Sequence, residues 1–264
     1  MIVTTWNINS IKVRQFAVEQ YLIESKPDVL VLQETKAQDG AFPEDSFLKL
    51  GYHSIFCGQK TYNGVAILSK LKPKDVEYNP ISTEEDEKRS IVATYNNIRI
   101  LNLYIVNGQD VGTDKYEYKM RWLSALYRYV TNIKKKYPKI IILGDFNIAP
   151  RDEDTFDPAI TKEQILCSSQ EREKYKSLLD LGFFDLFLSD KIDKHPPKTF
   201  SWWDYRRAAF HNNIGYRIDL ILGTEEILNS CTQVRIDRHT RYKTWCKKEP
   251  RTSDHAPVVA ELSV

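Results

Sequence analysis

The sequence predicts an α/β or α+β sandwich. Short β-branched apolar runs recur along the whole chain, helical stripes lie between them, and Asn96-Asn97 joins two alternating runs as a hairpin turn. The runs read as strands are Ile2 to Trp6, Asp28 to Gln33, Gly64 to Ser69, Ser90 to Tyr95, Ile98 to Ile105, Lys139 to Leu143, Arg217 to Leu222 and Ala256 to Leu262. After the first, Val13, Phe16, Ala17 and Tyr21 share one helical face, with Ser10 as the expected N-cap. Trp122, Leu123, Leu126 and Val130 form a longer stripe that ends at Lys136. A third helix is expected from about Gln170 to Leu181, stopping at Gly182. Glu84-Glu85-Asp86-Glu87, followed by Lys88-Arg89, reads as a solvated loop, and the chain carries no internal repeat or low-complexity tract.

The 264 residues hold 38 Lys+Arg against 36 Asp+Glu, so neither a basic arm nor an acidic tail dominates. With 42% hydrophobic residues and no Pro-, Gly- or Ser-rich linker, one domain over residues 1–264 with a large core is expected. The N-terminus lacks the basic-then-apolar pattern of a secretion signal, and no run approaches the roughly 18 apolar residues of a membrane span. Cys57, Cys167, Cys231 and Cys246 are far apart, which argues against a disulfide framework or a thiolate zinc site. A cytoplasmic protein with no membrane partner is therefore expected.

Polar residues fall at the ends of these strands. Asn7 and Asn9 follow the first, Glu34 the second, and Asp145 and Asn147 follow the Lys139 run; Asp219 lies inside Arg217 to Leu222, and Asp254 and His255 precede the last. If these ends converge, they build one acidic pocket containing an imidazole. Several carboxylates in one crevice repel each other unless a cation compensates them, and hard oxygen donors suit Mg²⁺ or Mn²⁺. Taken singly, each element also has a structural reading. Gly-Asp-Phe-Asn can be an Asx turn, Asp254 can cap a turn, and Asp219 can pair with Arg217 in the core.

Phe200 to Arg207 places Trp202 and Trp203 beside Arg206 and Arg207, a combination suited to stacking on nucleotides and pairing with phosphates. Adjacent residues of a strand face opposite sides, so one tryptophan is expected in the core. Arg235 to Arg251 carries seven Lys/Arg against Asp237 and Glu249, and is a second candidate for a polyanion-facing rim.

W-N-I-N, P-D-V-L-V-L-Q-E-T-K, Y-N-G-V-A-I-L-S, G-D-F-N-I-A-P, F-S-W-W-D-Y-R, R-I-D-L-I-L and S-D-H-A-P-V occur in this order from residue 6 to 258. In these motifs the chain resembles the bacterial exonuclease III and abasic-site endonuclease group of the endonuclease–exonuclease–phosphatase superfamily. The resemblance implies a DNase I-like, four-layer α/β sandwich, two mixed β-sheets packed face to face and flanked by helices. It implies Glu34 as the principal Mg²⁺ ligand, assisted by Asn7, Asn9 and Asp254, with Mn²⁺ as a substitute metal. Asp145 would orient or deprotonate the attacking water, and Asn147 would hold it and steady the phosphate; both are also offered as ligands of a second metal. His255, oriented by Asp219, would contact the scissile phosphate, with Tyr104 and Asn107 as further phosphate contacts. Trp202, Tyr216 and Ile218 would line the pocket for an extruded abasic sugar, which costs less to flip than a paired nucleotide.

The implied activity is Mg²⁺-dependent incision 5′ to an abasic site, with 3′→5′ exonuclease and 3′-phosphatase activity on duplex DNA carrying abasic sites or blocked or recessed 3′ ends. A monomer is expected. Two features depart from the group's pattern. Val106 replaces a proline in the Tyr104 to Gly108 motif, and Arg151 to Gln170 contains Asp152, Glu153, Asp154 and Asp157, whose charges would repel DNA if they faced it. A superfamily phosphatase acting on a lipid or small molecule, and a non-catalytic nucleic-acid-binding protein, are the alternatives.

Overall fold

The computed structural model describes residues 1–81, 83–192 and 194–263. Strands β1 (Ile2–Asn7), β2 (Val29–Gln33), β3 (His53–Cys57), β4 (Val65–Ser69), β11 (Cys231–Ile236) and β12 (Val258–Leu262) form one sheet, in the order β11-β12-β1-β2-β4-β3. Strands β5 (Lys74–Tyr78), β6 (Ser90–Tyr95), β7 (Ile98–Tyr104), β8 (Ile140–Asp145), β9 (Phe184–Asp185) and β10 (Asp219–Gly223) form the other, in the order β5-β6-β7-β8-β10-β9. Both are mixed. β1 pairs in parallel with β2, and β7 with β8, while every other pairing among the described residues is antiparallel.

Strand period explains the layering, because alternate residues face opposite sides. Val29 and Val31 meet Ile100, Ile141, Leu143 and Ile221 between the sheets. Leu30 and Leu32 face outward onto Ala17, Val18, Tyr21 and Leu22 of α1 (Ile11–Ser25) and onto Phe47 of α2 (Glu44–Lys49). On the other side, Leu101, Ile140, Ile142, Leu220 and Leu222 pack on Trp122, Leu126 and Val130 of α3 (Asp114–Ile133) and on Tyr175 and Leu178 of the capped helix Ser169–Asp180. The four-layer sandwich is therefore helices, sheet, sheet, helices. That last helix is α5, preceded by α4 (Pro158–Thr161) and followed by α6 (Glu225–Ser230).

All eight expected strands and all three expected helices form. The hairpin at Asn96-Asn97 forms with both residues at positive φ, 47° and 63°, as a primed turn requires. Ser10 does not cap α1. Its φ is 96° and its hydroxyl makes no capping bond; the amides of Ser10 and Ile11 instead donate to the carbonyls of Glu34 and Thr35, so the helix start is tied to the exit of β2. Nor is the run 84–89 wholly solvated, since Arg89 is buried, pairs with Glu87 at 2.6 Å and lies 4.7 Å over the Tyr104 ring. The unexpected strands β3, β5, β9 and β11 are short or polar. All four are sheet edges, where one side faces water and weak patterning suffices.

Arg217, 1% exposed, bridges Asp154 at 2.7 Å and Asp185 at 2.9 Å. Arg217→Met would leave two carboxylates buried without their cation. Urea unfolding should show a loss of about 3–5 kcal/mol, and a loss below about 1 kcal/mol would refute a strut role. Burial alone would raise the Asp154 carboxyl, but the Arg217 guanidinium and its hydrogen bonds, with Arg151, hold it below the ordinary 3.8. A depressed carboxylate contributes stability that is complete above its unfolded value and lost as pH falls through its folded value. In acid titrations below about pH 4, Asp154→Asn should therefore lose stability less steeply than the parent.

Candidate active site

The inward-facing rows change from apolar to polar at one rim of the sandwich. On β1 the row is Val3, Thr5, Asn7; on β7 Ile100, Asn102, Tyr104; on β8 Ile141, Leu143, Asp145; on β10 Ile221 and then Asp219. Asp219 stands opposite Asp145 in the antiparallel register, so two carboxylates end side by side. Glu34 lies one residue past β2, at φ 52°, and Asn9 and Asn147 also sit in the left-handed region at 47° and 49°. For a glutamate that conformation costs roughly 1–2 kcal/mol, the kind of strain that clusters at functional sites. Gly144, beside Asp145 at φ 147°, is needed because a Cβ there would meet the Leu103 carbonyl oxygen at 1.9 Å.

At the centre, oxygen atoms of Glu34 and Asp145 and a ring nitrogen of His255 lie within 4.8 Å of one another. Asn7 lies between the two carboxylates, its Nδ2 donating at 2.9 Å to each. Its amide oxygen accepts from the Asn9 backbone N–H, so Asn7 presents nitrogen, not oxygen, to this centre. Asn9 donates to Asp254 at 3.0 Å and accepts from Lys36 at 2.6 Å. Asp254 accepts a second bond from the Trp202 indole at 3.0 Å. The Asn9–Asp254 pair is thus linked to Glu34 through Lys36 and to the cleft through Trp202. The oxygen-rich donor set of Glu34 and Asp145 fits a hard divalent cation.

His255 Nδ1 contacts Asp219 at 2.9 Å and Nε2 lies 3.8 Å from Asp145. The core ion pair of Asp219 with Arg217 does not form; Asp219 instead accepts from Ser201 Oγ at 2.7 Å, and Arg217 turns to Asp154 and Asp185. Burial would lower the His255 pKa, but Asp219 and Asp145 outweigh it and raise it to about 10, so the ring is an imidazolium at neutral pH. Asp145 is raised to about 7, first by burial and then by Asp219, while His255 and the Asn7 bond oppose the shift. Glu34 would also be raised by burial, yet Lys36 at 2.9 Å and the Asn7 bond bring it below its ordinary value. Burial beside Glu34 drives the Tyr104 phenol well above its usual range, which keeps its proton in place. Asn107 donates to the Asn147 side chain at 3.0 Å, and Asn147 donates to the Ile105 carbonyl at 2.9 Å.

An open cleft of about 580 Å³ adjoins this centre, with Trp202, Tyr216, Phe156, Ile160, Arg206 and Arg207 among its walls. Trp202 pairs through isolated bridges with both Tyr216 and His255, so aromatic cleft and imidazolium share one backbone junction. Trp203 is the core tryptophan, fully buried. Ile218 does not line the cleft. It is 2% exposed and packs against Trp202 and Tyr216 together with Ala149 and Leu166. The Arg235 to Arg251 segment is not a uniform basic rim. Arg235 pairs with Asp237 and Glu261, Arg238 stacks on Trp203 and Phe210, and buried Arg241 binds the Ser253 carbonyl. The acidic loop is largely neutralised, Asp152 by Arg172 and Asp154 by Arg151 and Arg217. Lys36, Ser201, Phe156 and Ile160 were not singled out from sequence. Lys36 was legible only as the fourth residue of Gln-Glu-Thr-Lys, since a lysine three residues past a strand is ordinarily solvated.

Residues 4–255 match the Endonuclease/Exonuclease/phosphatase family. The chain is 34% identical to an exodeoxyribonuclease III of Haemophilus influenzae, with 98% of both chains covered. It is 31% identical to an exodeoxyribonuclease of Bacillus subtilis, again over 98% of both. Among solved structures, a 3′ phosphatase from Neisseria bound to a product DNA hairpin superimposes with a TM-score of 0.92 at 39% identity, covering 100% of both chains. An AP endonuclease from Archaeoglobus fulgidus superimposes with a TM-score of 0.91 at 35% identity, also over 100% of both. No helix among the described residues is long and apolar enough to cross a membrane.

The raised Asp145 pKa has a thermodynamic consequence. A carboxyl that releases its proton more readily when unfolded loses stabilising influence as pH rises from the unfolded value through the folded one. In EDTA at about pH 8, Asp145→Asn should melt above the parent by about 2–4 °C, and the difference should vanish near about pH 4. Equal melting at both pH values would show that the buried carboxylate carries no penalty.

Proposed function

The chain belongs to the Endonuclease/Exonuclease/phosphatase family, and from that premise we propose that it is a metal-dependent phosphodiesterase of DNA repair that incises duplex DNA 5′ to an abasic site. The same centre would remove nucleotides and phosphates from 3′ ends, as a single domain acting as a monomer. The observation that carries this reading is the shared junction of Trp202 and His255, which sets an aromatic, arginine-edged cleft directly beside an imidazolium and two carboxylates. The relatives named exodeoxyribonuclease and AP endonuclease, and the 3′ phosphatase bound to DNA, support it.

The chemistry is in-line hydrolysis. Water attacks phosphorus, the bond to the 3′ oxygen breaks, and the attacking water's proton goes to Asp145, whose raised pKa suits a general base near neutral pH. The imidazolium of His255, held by Asp219, stabilises charge on the non-bridging oxygens. Asn107 Nδ2 is placed to donate to the same oxygens once phosphate replaces its bond to Asn147 Oδ1, which is then free to hold the attacking water, while Asn147 Nδ2 stays on the Ile105 carbonyl. Tyr104, protonated at neutral pH, is placed to donate to the phosphate or the leaving oxygen. A divalent cation, Mg²⁺ with Mn²⁺ as substitute, would be held by Glu34 beside Asp145, which stays free to take the proton, and would supply charge compensation at the phosphate. Asn7 orients both of those carboxylates, while Asn9 and Asp254 brace Lys36 and Trp202.

An extruded sugar would stack on Trp202 and Tyr216, with Ile218 as their support and Arg206 and Arg207 against flanking phosphates. Neutralisation of Asp152 and Asp154 removes most of the repulsion that their loop would otherwise exert on DNA.

A duplex with one tetrahydrofuran abasic analogue should be nicked once, 5′ to the analogue, in Mg²⁺ and not in EDTA. A parallel duplex with an intact recessed 3′ end measures the exonuclease share. Asp145→Ala and His255→Ala should each lower incision by about 10²–10³-fold with DNA binding retained. Metal-independent cutting, or full activity in both variants, would overturn the reading. Mg²⁺ should also raise the melting temperature of the parent, and Glu34→Gln should weaken that response.

A further inference from the structure

We propose that Lys119 is a positioning residue for the phosphate-binding asparagines. This rests on the reading of Asn107 and Asn147 given above.

Lys119 projects from the buried face of α3 and is 0% exposed. An ammonium has three N–H donors, and here three partners take them: the Asn147 carbonyl at 2.6 Å, the Asn107 carbonyl at 3.1 Å and the Glu171 carboxylate. Two of the three are main-chain atoms of the asparagines whose side chains bond to each other at 3.0 Å. The surrounding backbone is shaped to the lysine stem. Gly108 has φ 93°, and a Cβ there would meet Lys119 Cδ at 3.1 Å and Ile165 Cδ1 at 3.0 Å. Glu171 extends the tie by accepting from the amides of Leu166 and Ser168 and from the Ser168 hydroxyl. One buried ion pair thereby joins three loops: the one after β7, the one after β8 and the one entering α5.

A buried ion pair is often no more stabilising than an apolar pair of similar volume. An apolar side chain, however, offers nothing that fixes two carbonyls at a set separation. The ammonium does, and the separation it fixes is that of the Asn107 and Asn147 side chains. Its own charge is matched by Glu171, so its effect on the reaction is geometric.

The test compares the parent with Lys119→Met/Glu171→Gln, which removes both charges and leaves no buried ion unpaired. Lys119→Met alone reports the cost of the unpaired carboxylate. On the abasic duplex with saturating Mg²⁺, the double variant should keep its melting temperature and its KM within about twofold while kcat falls about 100-fold, the effect of displacing positioned groups by about 1 Å. In protein labelled with ¹⁵N-asparagine, the side-chain amide signals of Asn107 and Asn147 should shift and lose protection from exchange. A folded double variant with kcat within about threefold of the parent overturns the proposal, as does a kcat loss matched by equal losses in KM and melting. Unchanged asparagine signals overturn it as well. A parent that does not cut DNA refutes the phosphodiesterase reading instead, and the asparagine signals still decide whether Lys119 sets the pair.

Discussion

Gln33 and Asn102 reach towards each other from opposite sheets and bond at 2.7 Å, while Asn102 also donates to the carbonyls of Leu32 and Ala66 across the same gap. This polar bridge marks where the sandwich stops being a hydrocarbon core. Behind it the facing rows are Val29, Val31, Ile100 and Leu143; ahead of it they become Asn7, Tyr104, Asp145 and Asp219. Face-to-face packing of two sheets forces the two sets of strand ends into one crevice, so the site is a continuation of the core by other residue types. A slip of one residue in β8 would turn Asp145 towards α3 and dismantle the centre, which is why the Leu103–Gly144 approach matters so much.

Within that crevice, charge is compensated in layers. Asp219 and Asp145 flank His255, Lys36 covers Glu34 from the solvent side, and Lys119 with Glu171 lies beneath Asn147. Burial would raise Glu34 and Asp254, but Lys36 beside the first and His255 beside the second, with their hydrogen bonds, bring both below the ordinary carboxylate range. Asp145 is the exception, raised to about 7 by burial and by Asp219, and it is also the group best placed to take a proton. The environment thus separates carboxylates of one residue type into different roles.

The basic half of the near-zero net charge lies partly inside the fold. Arg89, Arg99, Arg217 and Arg241 are buried, and their guanidinium groups bind carboxylates, carbonyls or aromatic rings inside the fold. Basic residues counted in the sequence are therefore not all available to DNA. Arg206 and Arg207, exposed at the mouth of the cleft, remain so, although Arg206 already leans on Asp204 at 2.6 Å.

By itself the sequence determined what local physics encodes. β-branched runs such as Ile98 to Ile105 declare strands, Asn96-Asn97 declares its hairpin, and Gly182 marks the stop of α5. Carboxylates placed just past such runs announced a polar rim, and the ordered motifs announced the family. What only the tertiary structure decided depends on partners distant in the chain. Edge strands β5 and β11 have weak patterns because a neighbour's backbone supplies their pairing. Ser10 lost its capping role to carbonyls leaving β2, Ile218 was buried against Trp202 and Tyr216, and Asp219 chose His255 over Arg217. Lys119 reads in the sequence as one more helical lysine; only packing reveals that it is buried beneath two asparagines. Period and turn chemistry are properties of neighbouring residues, whereas hydrogen-bond partners and burial belong to residues that meet only when the two sheets close.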